Sequence, residues 1–468
     1  MEILVDLITD REIISGYLTD ASNLHGNADA LIRPSSTEEV ADIVRICQKH
    51  AIPLTVTARR TSTTGAPVPF GGWLMSMEKL SKIISPTQVQ GGCLLGEYQD
   101  YVEKEGLLFP PDPTSRRECS VGGAISCNAS GARSFRYGPT RPWVEALEVV
   151  LPDGQIIQVD RQTPIPDDWP NILWEEPSVK TAAGYFPTNN MLDLMIGQEG
   201  TLGIITKAWL RVLPAPPQVL GMIVFFPHIA NCLRAVEHLR AGARRPGQEE
   251  ASGSLNPRAI EFFDDNSIEL IRYRVDDIPA AAKCGLFIEM EFEDEPPLEE
   301  YFEMLEEVGA LTDDIIAADD VDSRNRLYAI RHAIPAGVNE IVIANKMPKL
   351  GTDFAVPEKH LPHMIEKYKQ VNLRHILFGH IGDSHLHLNL LPSNAQELQQ
   401  ARELYKQLAL YAVSLGGTVS AEHGIGKIKK ELLAEMIGNE VLLSFQQLKN
   451  HIDPNWILGR GNLFSNGV

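Results

Sequence analysis

None of the six cysteines of this 468-residue chain (Cys47, Cys93, Cys119, Cys127, Cys232 and Cys284) stands in a Cys-x-x-Cys pair. That spacing argues against an iron–sulfur cluster held by this chain and reads as reduced core thiols rather than a disulfide framework. Basic residues are in short supply: 42 Lys and Arg face 62 Asp and Glu, a formal net charge of −20. With no basic stripe to neutralise phosphates, no nucleic-acid partner is expected, and anionic membrane surfaces are disfavoured outside a local patch. No stretch of about 18 uninterrupted apolar residues occurs, so no spanning helix is expected. Acids stand among the first residues, Met1-Glu2-Ile3-Leu4-Val5-Asp6, where a signal peptide carries bases. The expected location is cytoplasmic, with peripheral attachment to the inner membrane as the alternative. Histidine is missing from the whole span between His50 and His228. The length exceeds what one hydrophobic core serves and implies two or three domains.

What is present is concentrated. Gly379-His380-Ile381-Gly382-Asp383-Ser384-His385-Leu386-His387-Leu388-Asn389 places three histidines and an asparagine close together, and Glu422-His423-Gly424 follows downstream. If Gly382 and Asp383 form a tight turn, His385, His387 and Asn389 share one strand face, because strand side chains alternate with period two. Leu386, Leu388 and Leu390 then face the core, and hairpin pairing brings His380 to the polar face. Two imidazoles and one carboxylate are a common set for a divalent metal with an open position, which leaves a further histidine beside it. Histidine is also the natural proton acceptor near neutral pH.

Residues 37–50 carry helical apolar spacing behind a Ser/Thr cap, and a strand-like run, Ile52 to Thr57, follows. Three segments are dense in small residues. The first runs from Thr61 to Pro69. The second contains Phe109-Pro110-Pro111-Asp112-Pro113-Thr114-Ser115, then Ser120 to Gly131, Arg136-Tyr137-Gly138 and the strand-turn Leu147 to Gly154. The third is Gly197 to Thr206, leading into a strand from Lys207 to Leu213. Such segments let the backbone approach a flat or anionic ligand.

The ordered series Thr-Ser-x-Thr-Gly, Pro-Pro-Asp-Pro-x-Ser, Gly-Gly-x-Ile-x-x-Asn-x-x-Gly, Tyr-Gly and Glu-Gly-Thr-Leu-Gly-Ile-Ile-Thr resembles the FAD-binding domain of the vanillyl-alcohol oxidase superfamily. His-x-Gly-Asp and Glu-His-Gly-x-Gly in the second half resemble the C-terminal domain of FAD-linked oxidases, in the group of D-lactate dehydrogenase, glycolate oxidase and D-2-hydroxyglutarate dehydrogenase. The resemblance runs from about residue 28 to residue 464. It implies metal ligation by His380, His387 and Glu422, with His385 outside the ligands proper. It makes His423 the catalytic base, Asn389 a substrate contact and Arg331 the partner of a substrate carboxylate, with Lys346 or Lys349 as a second cation. The flavin is expected against Thr61, Ser62, Gly65, Pro111, Asp112, Ser115, Gly122, Gly123, Asn128, Gly131, Tyr137, Gly138, Gly200, Gly203 and Ile204. The superfamily's usual histidyl flavin tether has no candidate between His50 and His228, so the FAD is expected to be non-covalent.

Three departures stand out. The family's Arg-Gly-Gly-Gly-Thr loop reads Thr57-Ala58-Arg59-Arg60-Thr61, which disfavours positive φ and implies that Arg59 or Arg60 pairs with the FAD pyrophosphate, or that FAD is held less tightly. The terminal Asn-Pro-Gly-Lys signature appears as Gly459-Arg460-Gly461-Asn462. Pro335 replaces the threonine that 2-hydroxyglutarate dehydrogenases tend to show, which favours the glycolate and D-lactate branch.

The expected fold is α+β: an FAD-binding domain over 1–213, a cap with an antiparallel sheet over 214–419, and a segment, 420–468, returning to the flavin domain. Gly242 to Ser254 reads as a mobile loop. The expected activity is oxidation of a D-2-hydroxy acid, D-lactate before glycolate, to the 2-oxo acid. His423 accepts the hydroxyl proton while hydride leaves for FAD, with a divalent ion (zinc first, manganese or iron next) polarising the substrate. Electrons then pass to an electron-transfer flavoprotein, a quinone or a cytochrome, within a homodimer or a multisubunit complex. The alternatives are D-2-hydroxyglutarate as substrate, a flavin-depleted non-catalytic subunit, and a metal-dependent hydrolase; the last leaves the glycine segments unexplained.

Overall fold

The computed structural model describes residues 6–248, 253, 255–272, 278–293, 295–318 and 320–465. The helix expected over 37–50 spans Thr37–His50: Ser36 accepts the Glu39 amide at its start, and Val40, Ala41, Ile43, Val44 and Cys47 form its buried face. It is the crossover between two strands of a parallel three-stranded sheet, ordered Ala30–Ile32, Trp73–Ser76, Leu54–Thr57. Parallel neighbours need such a crossover, because a tight hairpin cannot reverse the chain twice.

A five-stranded antiparallel sheet follows, in the order Ile83–Ser85, Gln88–Gln90, Ile204–Leu210, Val144–Val150, Ile156–Asp160. The strand expected over 207–213 therefore begins three residues earlier, at Ile204, and ends at Leu210. Leu213–Pro214 instead pairs with Leu107–Leu108. Ile204 and Ile205 are buried by cross-strand pairing with Val150 and Val149, which no local pattern announces.

The cap is built on an eight-stranded antiparallel sheet. Its order is Ile316–Ala318, Gln218–Phe226, Cys284–Phe292, Pro257–Phe263, His375–Gly379, His385–Leu390 and Leu350–Gly351, with Phe354–Ala355 also paired to His385–Leu390. Side-chain alternation gives the Gln218–Phe226 strand two buried faces. Leu220, Met222, Val224 and Phe226 join one core with helices Ile229–Gly242 and Leu298–Val308. Ile223 and Phe225 join another with helices Asp265–Ile271 and Val321–Asn345. A sheet covered on both faces explains why this strand reads as one continuous apolar run.

The C-terminal segment lies against the first sheets. The Leu54 amide donates to the Ile457 carbonyl at 2.7 Å, Lys449 Nζ reaches the Thr201 carbonyl at 2.6 Å, and Asn462 Nδ2 reaches the Glu199 carbonyl at 2.9 Å. All six cysteines are free thiols. Of the loop expected to be mobile, residues 249–252 and 254 lie outside the described residues.

Candidate active site

The site is assembled on the His375–Gly379 and His385–Leu390 hairpin, which pairs Phe378 with His387 and Ile376 with Asn389. Ile381–Asp383 form the turn, and the guanidinium of Arg240 holds it by donating to the Gly382 carbonyl at 3.1 Å and to Ser384 Oγ at 2.7 Å. Gly379 sits at φ +137, where a Cβ would lie 2.9 Å from the His387 ring, so only glycine lets the ring stand there. Leu386, Leu388 and Leu390 are buried. His385, His387 and Asn389 lie on the opposite face as alternation requires, and the His380 and His387 ring centroids are 5.5 Å apart.

Glu422 comes to this face from the loop ahead of helix Lys430–Ile452. Its Oε1 lies 3.3 Å from His380 Nε2, 3.2 Å from His387 Nε2 and 3.7 Å from His423 Nε2. The far nitrogens are already committed: His380 Nδ1 to Glu261 Oε1 at 2.5 Å, and His387 Nδ1 to the Thr352 carbonyl at 2.9 Å. The carbonyl accepts a hydrogen bond from His387 Nδ1–H, and this leaves the Nε2 lone pair aimed at an anionic oxygen. Facing lone pairs repel unless a cation stands between them, and outer partners that fix the ring in this way are typical of metal-ligating histidines. Two imidazoles and a carboxylate thus fit a divalent ion on chemical grounds. Ligand atoms of His380, His385, His387 and Glu422 all lie within 4.8 Å of one another, as do those of Asp353, His387, Glu422 and His423.

Three residues that the sequence did not single out organise the site. Asp353, fully buried, accepts the backbone amides of Glu422 at 3.1 Å and His423 at 3.0 Å, and pairs with Lys429 Nζ at 2.7 Å. It also lies 3.5 Å from His423 Nδ1. Lys180, from an irregular segment, donates to Glu422 Oε2 at 3.0 Å. Burial alone would lower the pKa of Lys180, but Glu422 and Asp383 outweigh it and keep the ammonium charged. Glu261 takes His380 on one oxygen and Arg331 on the other, with Arg331 Nη2 at 2.6 Å. Burial pushes the His423 imidazole down to about 4 against the opposing pull of Asp353 and Glu422, so it stands neutral at pH 7.

Two hollows meet here. One, of about 620 Å³, is walled by Arg59, Arg60, Thr61, Ser62, Ser115, Gly122, Gly123, Gly200, Gly203 and Ile204, all expected at the flavin. The other, of about 750 Å³, is walled by Arg331, Lys349, His380, His387 and Asn389. Lys349 rather than Lys346 lines it. Glu422 and His423 stand in the wall of both. Gly91 and Gly122 are in backbone contact, since a Cβ on Gly122 would lie 2.8 Å from the Gly91 carbonyl oxygen. Among the described residues Arg59 Nε and Arg60 Nη1 have no hydrogen-bond partner and lie buried in the first hollow's wall, which suits an anionic ligand such as the pyrophosphate of FAD.

The other expected residues are placed as follows. Seven residues expected against the flavin stand outside that wall: Gly65, Pro111, Asp112, Asn128, Gly131, Tyr137 and Gly138. Gly65 donates to Asp20, the Pro111 carbonyl accepts from Gln99, and Asp112 and Asn128 accept the amides of Arg133 and Arg141. Gly131 packs on the Asp112 backbone, Gly138 turns the chain at φ +74, and the Tyr137 hydroxyl bonds Glu291. Nor does the Arg59-Arg60 loop avoid positive φ: Arg60 adopts +57, and its guanidinium stacks 4.5 Å from the Tyr17 ring centroid. Arg331 lies well inside helix Val321–Asn345 and is held by Glu261 rather than free to swing. Asn462 reaches the flavin hollow despite the altered C-terminal signature.

Comparison with known proteins gives the family. Residues 216–463 match the family described as FAD linked oxidases, C-terminal domain, and residues 28–160 match an FAD binding domain. The chain is 31% identical to a D-lactate dehydrogenase of Anaerostipes hadrus, covering 97% of this chain and 93% of that protein. It is 26% identical to the glycolate oxidase subunit GlcD of Bacillus subtilis (strain 168), over 93% and 89%. It is 30% identical to a D-2-hydroxyglutarate dehydrogenase of Xanthomonas citri pv. viticola, over 94% and 89%. Among solved structures, an alkyldihydroxyacetonephosphate synthase superposes with a TM-score of 0.71 at 16% identity, over 97% of this chain and 81% of that one, a likeness of fold. No helix among the described residues is long and apolar enough to cross a membrane.

Proposed function

The chain belongs to the FAD-linked oxidases and is an FAD-dependent oxidoreductase, and from that premise we propose that it oxidises a D-2-hydroxy acid to the 2-oxo acid. D-lactate is the first substrate, glycolate the next, and D-2-hydroxyglutarate the alternative. The observation that carries this is the place of Glu422 and His423, in the wall shared by the flavin hollow and the histidine-lined hollow. A group there touches both the oxidant and the reactant.

When bound, FAD supplies a two-electron acceptor and a divalent ion supplies Lewis-acid charge. His380, His387 and Glu422 would hold the ion. Asp353 beside His423 Nδ1 favours the proton on that nitrogen, leaving Nε2 to take the proton of the substrate hydroxyl. Lys349 and Arg331 place positive charge around the second hollow for the substrate carboxylate, and Asn389 offers an amide to an oxygen. Arg59 and Arg60 would hold the pyrophosphate of a non-covalent FAD. The domains behind this are the flavin domain 1–213, the cap 214–419 and the returning segment 420–468. With no Cys-x-x-Cys pair, electrons leave through a docked acceptor, an electron-transfer flavoprotein, a quinone or a cytochrome, or through a second subunit.

The test is an anaerobic screen in which the purified flavoprotein is mixed with D-lactate, L-lactate, glycolate and D-2-hydroxyglutarate. Bleaching of the visible flavin band by D-lactate, and not by L-lactate, is the expected result. A flavin that no 2-hydroxy acid bleaches overturns the assignment.

A further inference from the structure

His385 has no task in the mechanism above, yet it is the most enclosed imidazole of the cluster. Its side chain is 0% exposed, against 4% for His380, 13% for His387 and 33% for His423. Among the described residues neither ring nitrogen meets a group in good hydrogen-bond alignment, the nearest being Asp353 beside Nε2. A neutral imidazole carries one donor and one acceptor, and a fully buried side chain that leaves either unsatisfied is costly unless something else occupies the site.

The surroundings narrow what that occupant is. Asp353 Oδ1, which otherwise receives only the Glu422 amide, lies 3.0 Å from His385 Nε2 and can take its proton as a partner, while the His423 amide, the Ser420 hydroxyl and Lys429 all bind Oδ2; Nδ1 is the nitrogen left with a free lone pair. Nδ1 lies 3.9 Å from Glu422 Oε2, the oxygen not used by His380 and His387. The His385 and His387 ring centroids are 4.4 Å apart, because the two residues are alternate positions on one strand face. The ligand atom of His385 falls with those of His380, His387 and Glu422 inside a span of 4.8 Å. Arms of about 2.0–2.2 Å on a single ion close that span with small side-chain shifts.

We propose that His385 is a fourth protein ligand of the divalent ion, making a site of three imidazoles and one carboxylate. This rests on the metal-dependent part of the function proposed above. The competing set of Asp353, His387, Glu422 and His423 is poorer, since the Asp353 oxygens are taken by four donors. Four protein ligands suit a tetrahedral zinc-type site, so the substrate oxygens would join by expanding the coordination.

The experiment strips the FAD-loaded protein with a chelator and titrates it with Co²⁺ and with Zn²⁺. Wild type should take up one equivalent and show the intense visible bands of four-coordinate cobalt. His385→Asn should bind more than about 100-fold more weakly and show a changed band, because loss of an outer partner alone costs only about 10–100-fold and leaves the ligand set intact. Retained flavin absorbance checks that the variant is folded. X-ray absorption on wild type with Zn²⁺ counts imidazoles without any mutation, and three are expected. Two imidazoles, or a variant with the wild-type cobalt band, overturns the fourth ligand while leaving the metal-dependent mechanism intact. A wild-type protein that binds neither ion overturns both.

Discussion

Arg331 and His380 are bound to opposite oxygens of one buried carboxylate, that of Glu261. Helix Val321–Asn345, the central cap strand Pro257–Phe263 and the histidine hairpin are thereby tied through three side chains. Burial by itself would raise the Glu261 pKa, but the positive charge of Arg331 and the hydrogen bonds from Arg331 and His380 outweigh it and bring it down to about 2. The carboxylate is therefore charged throughout the working range, and it orients the His380 ring so that Nε2 faces Glu422.

Glu261→Gln removes that charge while keeping the shape. One amide cannot accept from both partners, so Arg331 is left poorly paired and His380 loses its fixed orientation. Metal affinity should fall about 10–100-fold, the usual scale for an outer partner of a ligating histidine. FAD content should be unchanged, and a chelator-competition titration measures the difference. Chelation of the wild type, or His387→Ala, should go further and abolish flavin reduction with FAD retained.

Replacing His423 with Asn should leave FAD and metal content intact and slow flavin reduction by D-lactate about 10²–10⁴-fold. Stopped-flow reduction under anaerobic conditions reads this directly. A variant that reduces at the wild-type rate removes His423 from the role of base.

Arg59 and Arg60, in the flavin wall, each hold a buried nitrogen without a partner among the described residues. Charge-assisted hydrogen bonds to a phosphate are worth about 1.5–3 kcal/mol. Substituting both by Ala should weaken FAD retention at least about tenfold, and more at high salt. Gly at position 60 should be milder than Ala, because it accepts φ +57 without the strain of a Cβ. Fluorescence of released flavin on dilution follows both variants.

Stability should carry a pH signature from Asp264, which caps helix Asp265–Ile271 by accepting from the Ser267 amide and hydroxyl. Burial raises its pKa from 3.8 to about 6. The folded protein therefore binds this proton more tightly than the unfolded chain does. Its contribution is fully present below pH 3.8 and is lost as pH rises through about 6, a change of ~1–3 kcal/mol. Asn keeps the capping oxygen and has no charge to bury. The melting temperature of Asp264→Asn, relative to wild type, should therefore rise between pH 4 and pH 8. A difference that stays flat across that range would mean that Asp264 ionises freely in the fold.

Sequence alone was sufficient where the property is local to the backbone. Period-two alternation put His385, His387 and Asn389 on one face and Leu386, Leu388 and Leu390 on the other, and helical spacing behind Ser36 located Thr37–His50 within the bounds observed. Ten of the residues expected at the flavin wall one hollow, nine of them small or basic, because glycine and short side chains permit close backbone approach wherever the chain runs. Local pattern failed where partners come from elsewhere. Glu261, Asp353 and Lys180 sit on a cap strand, a short turn and an irregular segment, and nothing in their neighbourhoods marks them. Their pairing with His380, with the Glu422–His423 backbone and with Glu422 itself follows from how separate elements pack. The same holds for Arg331, whose pairing with Glu261 joins two elements far apart in the chain. Alternation is a property of one strand, whereas the choice of counter-ion for a buried charge belongs to the assembled fold, where only a few groups are near enough to offset its desolvation.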